Sequence, residues 1–200
     1  MFIAKWHKAN LVTYLGVMFA IFGMYLSLHG EINQAIACLV LAGVCDMFDG
    51  KYARTQKRNE KEKSIGIQLD SLADVINFLV LPIIIYVGLG FTKWYHIAIY
   101  IIFAICGITR LAIFNVLAEE TGKVQEYFKG LPVTSSAIII PLIWLISNLL
   151  ILNNNLLFSL VLLLTAFLMV LNIRIKKPQG VMYVIFSLLA VGMLILLLGM

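Results

Sequence analysis

Apolar residues in this chain run in long, nearly unbroken blocks, not in the alternating or amphipathic patterns of a soluble domain. Seven blocks reach or approach the roughly 20 residues that a helix needs to cross a bilayer. They lie at about 11–29, 32–54, 66–90, 94–118, 132–150, 154–173 and 180–199. The pattern predicts an all-α, polytopic transmembrane helical bundle of six to seven spans. Polar residues collect between the blocks. The longest polar stretch, Thr55 to Ser64, is expected to join the second and third spans as a loop, and Glu119 to Gly130 to join the fourth and fifth. Asn153-Asn154-Asn155 marks a turn between the fifth and sixth spans, and Lys177-Pro178-Gln179-Gly180 breaks the last pair. No soluble module and no visible inverted repeat interrupts the series, so 1–200 reads as a single membrane domain.

Basic residues orient the bundle. With seven spans, Lys5, Lys8, Lys57, Arg58, Lys61, Lys63, Lys123, Lys129, Arg174, Lys176 and Lys177 all face one side, whereas the opposite loops hold only Lys93. That asymmetry places the first side in the cytosol. The formal net charge of +5 then belongs to a surface that meets anionic headgroups, which argues against a nucleic-acid partner. The start Met-Phe-Ile-Ala-Lys-Trp-His-Lys precedes an apolar run but is followed by no small-residue cleavage site. It is expected to be retained as a short interfacial segment anchored by Trp6. Cys38, Cys45 and Cys106 fall within spans and are odd in number, so they read as packed thiols and not as a disulfide framework.

All four aspartates lie between positions 46 and 74, inside segments that are otherwise apolar. Asp46, Asp49, Gly50, Ala53 and Arg54 recur every three or four residues on the second span, and Gly66, Asp70 and Asp74 every four on the third. Each set therefore forms a stripe along one helix face, and a short hairpin would bring the stripes together near the cytosolic end. At 1.5 Å per residue, Asp46 lies roughly 12 Å inward of Arg54, deep enough to need a polar cavity. Four carboxylates so close repel one another unless protons or cations neutralise them, and oxygen donors suit hard divalent cations. Ion pairing with Lys51, Arg54 or Arg110 would leave much of that charge uncompensated. Gly50, Ala53, Gly66 and Ala73 taken alone mean only close helix packing.

These residues carry a resemblance. Asp46-x-x-Asp49-Gly50-x-x-Ala53-Arg54, a loop, then Gly66-x-x-x-Asp70-x-x-x-Asp74 resembles the signature of the CDP-alcohol phosphotransferase family at all eight fixed positions. The loop between the halves is longer than the family's usual one. Asn10-Leu-Val-Thr13 is similar to the family's opening of the first span. Leu69 to Ile76, Cys106 to Val116, Phe128 to Pro132 and Leu168 to Arg174 are similar to the branch that uses serine. The resemblance implies transfer of a phosphatidyl group from CDP-diacylglycerol to L-serine, releasing CMP, by a homodimeric membrane enzyme with two divalent cations, Mg²⁺ or Mn²⁺. It implies that Asp46, Asp49, Asp70 and Asp74 hold the metals and that Asp74 is also the general base. It implies a nucleotide pocket of Gly50, Ala53, Arg54 and Gly66, with Asn10 and Thr13 as additions. Glycerol phosphate or inositol phosphate as acceptor is the alternative within the family, and a cation or proton transporter is the alternative of another class.

Residues outside the signature divide more evenly. Arg110, five residues before Asn115, could clamp a carboxylate or phosphate, or could pair with Glu119 or reach headgroups. Both Arg110 and Asn115 are candidate ligand-binding residues. Arg174, Lys176 and Lys177 read as a positive-inside flank before they read as a lipid-phosphate site. His7, His29 and His96 sit near span ends and read as interfacial anchors.

Overall fold

The computed structural model describes residues 8–121, 127–150, 155–176 and 180–199. Helices account for nearly all of them: α1 (Leu11–Leu28), α2 (Ile32–Thr55), α3 (Glu60–Val75), α4 (Leu81–Gly88), α5 (Trp94–Thr121), α6 (Ser136–Leu149), α7 (Asn155–Val170) and α8 (Val181–Gly199). One turn of π-helix, Ile76–Val80, joins α3 to α4 without a break, so the described residues form seven successive apolar rods. Five are long and apolar enough to cross a membrane, and 133–149 and 155–170 are shorter. The chain is an all-α polytopic membrane protein. Leu188, Val191 and Ile195 of α8 and Ile101, Ile105 and Ile108 of α5 are exposed, as a lipid-facing surface requires. Trp6, His7, Asn153, Asn154 and Lys177 to Gln179 lie outside the described residues.

The third rod begins earlier than its apolar pattern. It starts at Glu60, not at Gly66, and the second half of the polar stretch expected as a loop is its first turn and a half. A capping box explains the start. The Asn59 side chain accepts the Glu62 N–H at 2.8 Å, and the Glu62 carboxylate accepts the Asn59 N–H at 2.9 Å. Only Gln56 to Asn59 then links α2 to α3, so the extra length between the two halves of the signature is helix and the hairpin is tight.

Glycine and cysteine pack α1 against α2. A Cβ at Gly16 would stand 3.4 Å from the Cys45 Cβ, and one at Gly23 would stand 2.9 Å from the Cys38 Cβ. The two pairs, seven residues apart on antiparallel helices, let the backbones approach closely. All three cysteines are free, with Cys38 and Cys45 buried, as expected of packed thiols. At the other end of the bundle Tyr86 meets Phe91, Tyr100 and Phe158 edge-on. His96 is buried against Phe91 and Tyr95, which corrects its reading as an interfacial anchor. His29 is exposed and lies over Tyr25.

Two three-residue strands, β1 (Tyr127–Lys129) and β2 (Arg174–Lys176), pair antiparallel with Lys129 opposite Arg174, an element the apolar pattern did not predict. The ribbon continues as Gly130 N–H donates to Ile173 O at 2.8 Å and Leu131 N–H to Leu168 O at 2.9 Å. Gly130 has φ +74°, and a Cβ there would collide with the Met169 carbonyl, so only glycine fits. Because α6 and α7 lie between the strands, the ribbon holds the ends of α5 and α7 on one side of the bundle.

Candidate functional site

The short hairpin and the α1–α2 packing bring three helices to one crevice. Asp46 and Asp49 come from α2, Asp70 and Asp74 from α3, and Thr13 from the first turn of α1. Oxygens of Asp46, Asp49 and Asp70 lie within 4.8 Å of one another. The Asp46 and Asp74 carboxyls approach to hydrogen-bonding range, as do those of Asp49 and Asp70. Asp49 and Asp74 are buried, and Asp46 and Asp70 are half-buried. The stripes expected from the spacing do face each other.

Thr13 donates its hydroxyl hydrogen bond to Asp49 Oδ2 at 2.9 Å, which fixes that carboxylate and joins α1 to the cluster. The Gly50 N–H supports the same carboxylate. One turn before Thr13, Asn10 is buried. A Cβ at Gly66 would stand 3.6 Å from Asn10 Oδ1 and 2.9 Å from Arg58 Nη1. Asn10, Thr13 and Gly66 therefore form one margin of the crevice. Gly50 is exposed and Ala53 half-buried along the α2 side, and Arg54 occupies the last turn of that helix. Arg58 is the residue the sequence reading undervalued. The sequence marks it as a topological charge in a hairpin that could also supply phosphate contacts, and its guanidinium lies against Gly66.

Arg110 of α5 is buried, lies 5.1 Å from the Phe114 ring, and is in electrostatic range of Asp46 and Asp74. Of the alternatives open to it, the structure favours the acidic crevice over the headgroup region. Asn115 is placed differently. Its Nδ2 donates to Ser71 Oγ at 2.8 Å and the Ser71 hydroxyl donates to Asn115 Oδ1 at 3.2 Å. This pair ties α5 to α3 beside Asp70.

The donor set fits a hard divalent cation. Ionised carboxylates gathered from two helices repel one another in a low-dielectric interior, and oxygen-ligated cations relieve that repulsion. Cys45 also lines the crevice, but its Cβ packs on Gly16 and the surrounding donors are oxygens.

Fold and site together define a polytopic helical membrane protein with an oxygen-rich acidic centre. The chain belongs to the CDP-alcohol phosphatidyltransferase family, whose sequence profile matches residues 6–198. It is 32% identical over 162 residues to the CDP-diacylglycerol–serine O-phosphatidyltransferase of Saccharomyces cerevisiae, covering 74% of this chain and 57% of that protein. It is 35% identical over 132 residues to the archaetidylserine synthase of Methanothermobacter thermautotrophicus, covering 66% of this chain and 54% of that protein. It is 32% identical over 142 residues to the CDP-diacylglycerol–serine O-phosphatidyltransferase of Helicobacter pylori, covering 70% and 57%. The matches thus span about half the length of these relatives.

Proposed function

We propose that this protein transfers a phosphatidyl group from CDP-diacylglycerol to the hydroxyl of L-serine, giving phosphatidylserine and CMP. The observation that carries the reading is the convergence of both halves of the signature, with all four aspartates, on one crevice that also has Arg110 within range. A transporter would spread its polar groups along a path through the bundle. Here all four aspartates gather in one crevice between α2 and α3, which favours an enzyme.

Asp46, Asp49, Asp70 and Asp74 would hold divalent cations, Mg²⁺ or Mn²⁺ and two in number. Bound there, such cations neutralise pyrophosphate charge and stabilise the departing phosphate. The chain's own groups do the rest. Asn10, Thr13, Gly50, Ala53, Arg54 and Gly66 border the space for the cytidine nucleotide, with small residues leaving backbone open to it. Arg110 is positioned to take the serine carboxylate with its planar donor fork. Asp74 takes the serine hydroxyl proton as that oxygen attacks the β-phosphorus; the new O–P bond forms while the bond to the bridging oxygen breaks, and CMP leaves.

Serine needs one carboxylate clamp, whereas glycerol phosphate or inositol phosphate would call for a cluster of bases. With purified protein, CDP-diacylglycerol and a panel of alcohols, CMP release is expected with L-serine. Release with glycerol 3-phosphate or inositol phosphate but not with serine would reassign the acceptor and leave the family unchanged.

The crevice opens to the cytosol in this proposal, with membrane lipids around a single domain of a bacterial or archaeal cell membrane. Assembly as a homodimer, implied by the family resemblance, would cover part of the exposed apolar surface. Lys61 is exposed in the first turn of α3. A cysteine placed there should react with an impermeant maleimide only from the cytosolic side, and labelling of intact cells from outside would invert the orientation.

A further inference from the structure

The signature leaves Asn77 without a task. It stands three residues beyond Asp74, continuing the stripe Gly66, Asp70, Asp74 by one turn, and lies in the π turn Ile76–Val80. Its side chain is 3% exposed and lines the crevice with Asp46, Asp70 and Asp74. The Asn77 Oδ1 is buried without a hydrogen-bond partner. Leaving a buried acceptor unsatisfied costs about 1–3 kcal/mol, a penalty that an apolar side chain of similar size would avoid. Gly16 keeps space for the amide, since a Cβ there would stand 3.1 Å from Asn77 Nδ2.

Asp74 is therefore flanked by two different recognition groups. On one side is the Arg110 guanidinium, and one turn along its own helix is a carbonyl oxygen that accepts without adding negative charge. We infer that Asn77 binds the α-ammonium group of the amino-acid acceptor through Oδ1 and so selects a zwitterion over an uncharged or anionic alcohol. This rests on the serine reaction proposed above. A neutral acceptor is the fitting partner here, because a fifth carboxylate would add repulsion to a crevice that already holds four. The ammonium supplies three donors and satisfies the orphaned oxygen, while Arg110 holds the carboxylate and the hydroxyl faces Asp74.

The test compares L-serine with glycerate, in which a hydroxyl replaces the amine, for the native protein and for Asn77→Leu and Asn77→Asp. KM and kcat for each acceptor, KM for CDP-diacylglycerol and the Mg²⁺ dependence are measured. Asn77→Leu should raise the serine KM about 10- to 100-fold, the equivalent of one charge-assisted hydrogen bond. It should narrow the preference for serine over glycerate by a similar factor and leave the CDP-diacylglycerol KM and the Mg²⁺ dependence unchanged. Asn77→Asp, which retains an acceptor oxygen but adds the fifth charge, should keep the preference for serine over glycerate. Should Asn77→Leu not elute as a folded species, Asn77→Ser, too short to reach, takes its place with the same expectation. An unchanged serine KM overturns the inference, as does a shifted Mg²⁺ dependence with acceptor preference intact, which would put the oxygen on a cation. A native protein that releases no CMP with serine overturns the proposed reaction itself. Native activity on serine with a KM indifferent to Asn77 overturns only the role of this residue.

Discussion

Replacing Asp74 by asparagine is expected to lower turnover by about 10²- to 10⁴-fold, the range associated with loss of a positioned general base. The substitution is nearly isosteric at a buried position, so it removes a charge and a proton acceptor and little else. Its effect on stability should run the opposite way. With cations chelated, the native crevice carries Asp46 against Asp74 and Asp49 against Asp70. Deleting one charge from the set should leave the melting temperature unchanged or raise it. Asp46→Asn and Asp70→Asn are expected to act chiefly on the Mg²⁺ concentration needed for half-maximal rate. CMP release across a Mg²⁺ titration, with melting curves in EDTA, separates these effects. Near-normal activity in all three variants would sink the metal-centre assignment.

Chelation is expected to abolish turnover altogether, and added Mg²⁺ or Mn²⁺ to restore it. Carboxylate oxygens drawn within 4.8 Å of one another are the donor set that hard cations require. Binding to the folded state alone stabilises it by about 2.7 kcal/mol at a cation concentration 100 times Kd, so EDTA should also lower the melting temperature. Asn33 and Trp144, whose hydrogen bond lies away from the crevice, provide a control site. Substituting either should change stability without changing the Mg²⁺ dependence. Full activity after exhaustive chelation would contradict the proposed chemistry.

The parts of the site that could be read from the chain were those written in helical periodicity. Asp46, Asp49, Asp70 and Asp74 recur every three or four residues, and that spacing alone places them on facing stripes. The rods were legible because lipid demands long apolar blocks. The start of α3 was missed because polarity was read as loop, although Asn59-x-x-Glu62 is a capping box in plain letters. The β-ribbon had no local signature, since each strand is three residues long and its partner lies far along the chain. Arg58 against Gly66, Asn115 on Ser71 and the orphaned oxygen of Asn77 depend on how the helices meet, which single-helix patterns do not specify. The π turn is likewise a backbone adjustment between a polar stripe and the apolar packing of α4, and side-chain pattern records neither its place nor its length.

The ribbon also bears on the order in which the protein is made. β2 cannot find β1 until α6 and α7 have both been threaded into the bilayer and the chain has returned to its starting side. Pairing therefore closes a long loop late in synthesis, against the entropy of the intervening residues, and it does so only if both short rods have taken their places. Those rods are the least capable of inserting by length alone. The junction of Gly130 with Ile173, and of Leu131 with Leu168, thus works as a latch on completed biogenesis: a chain in which α6 or α7 fails to insert has no way to fasten it.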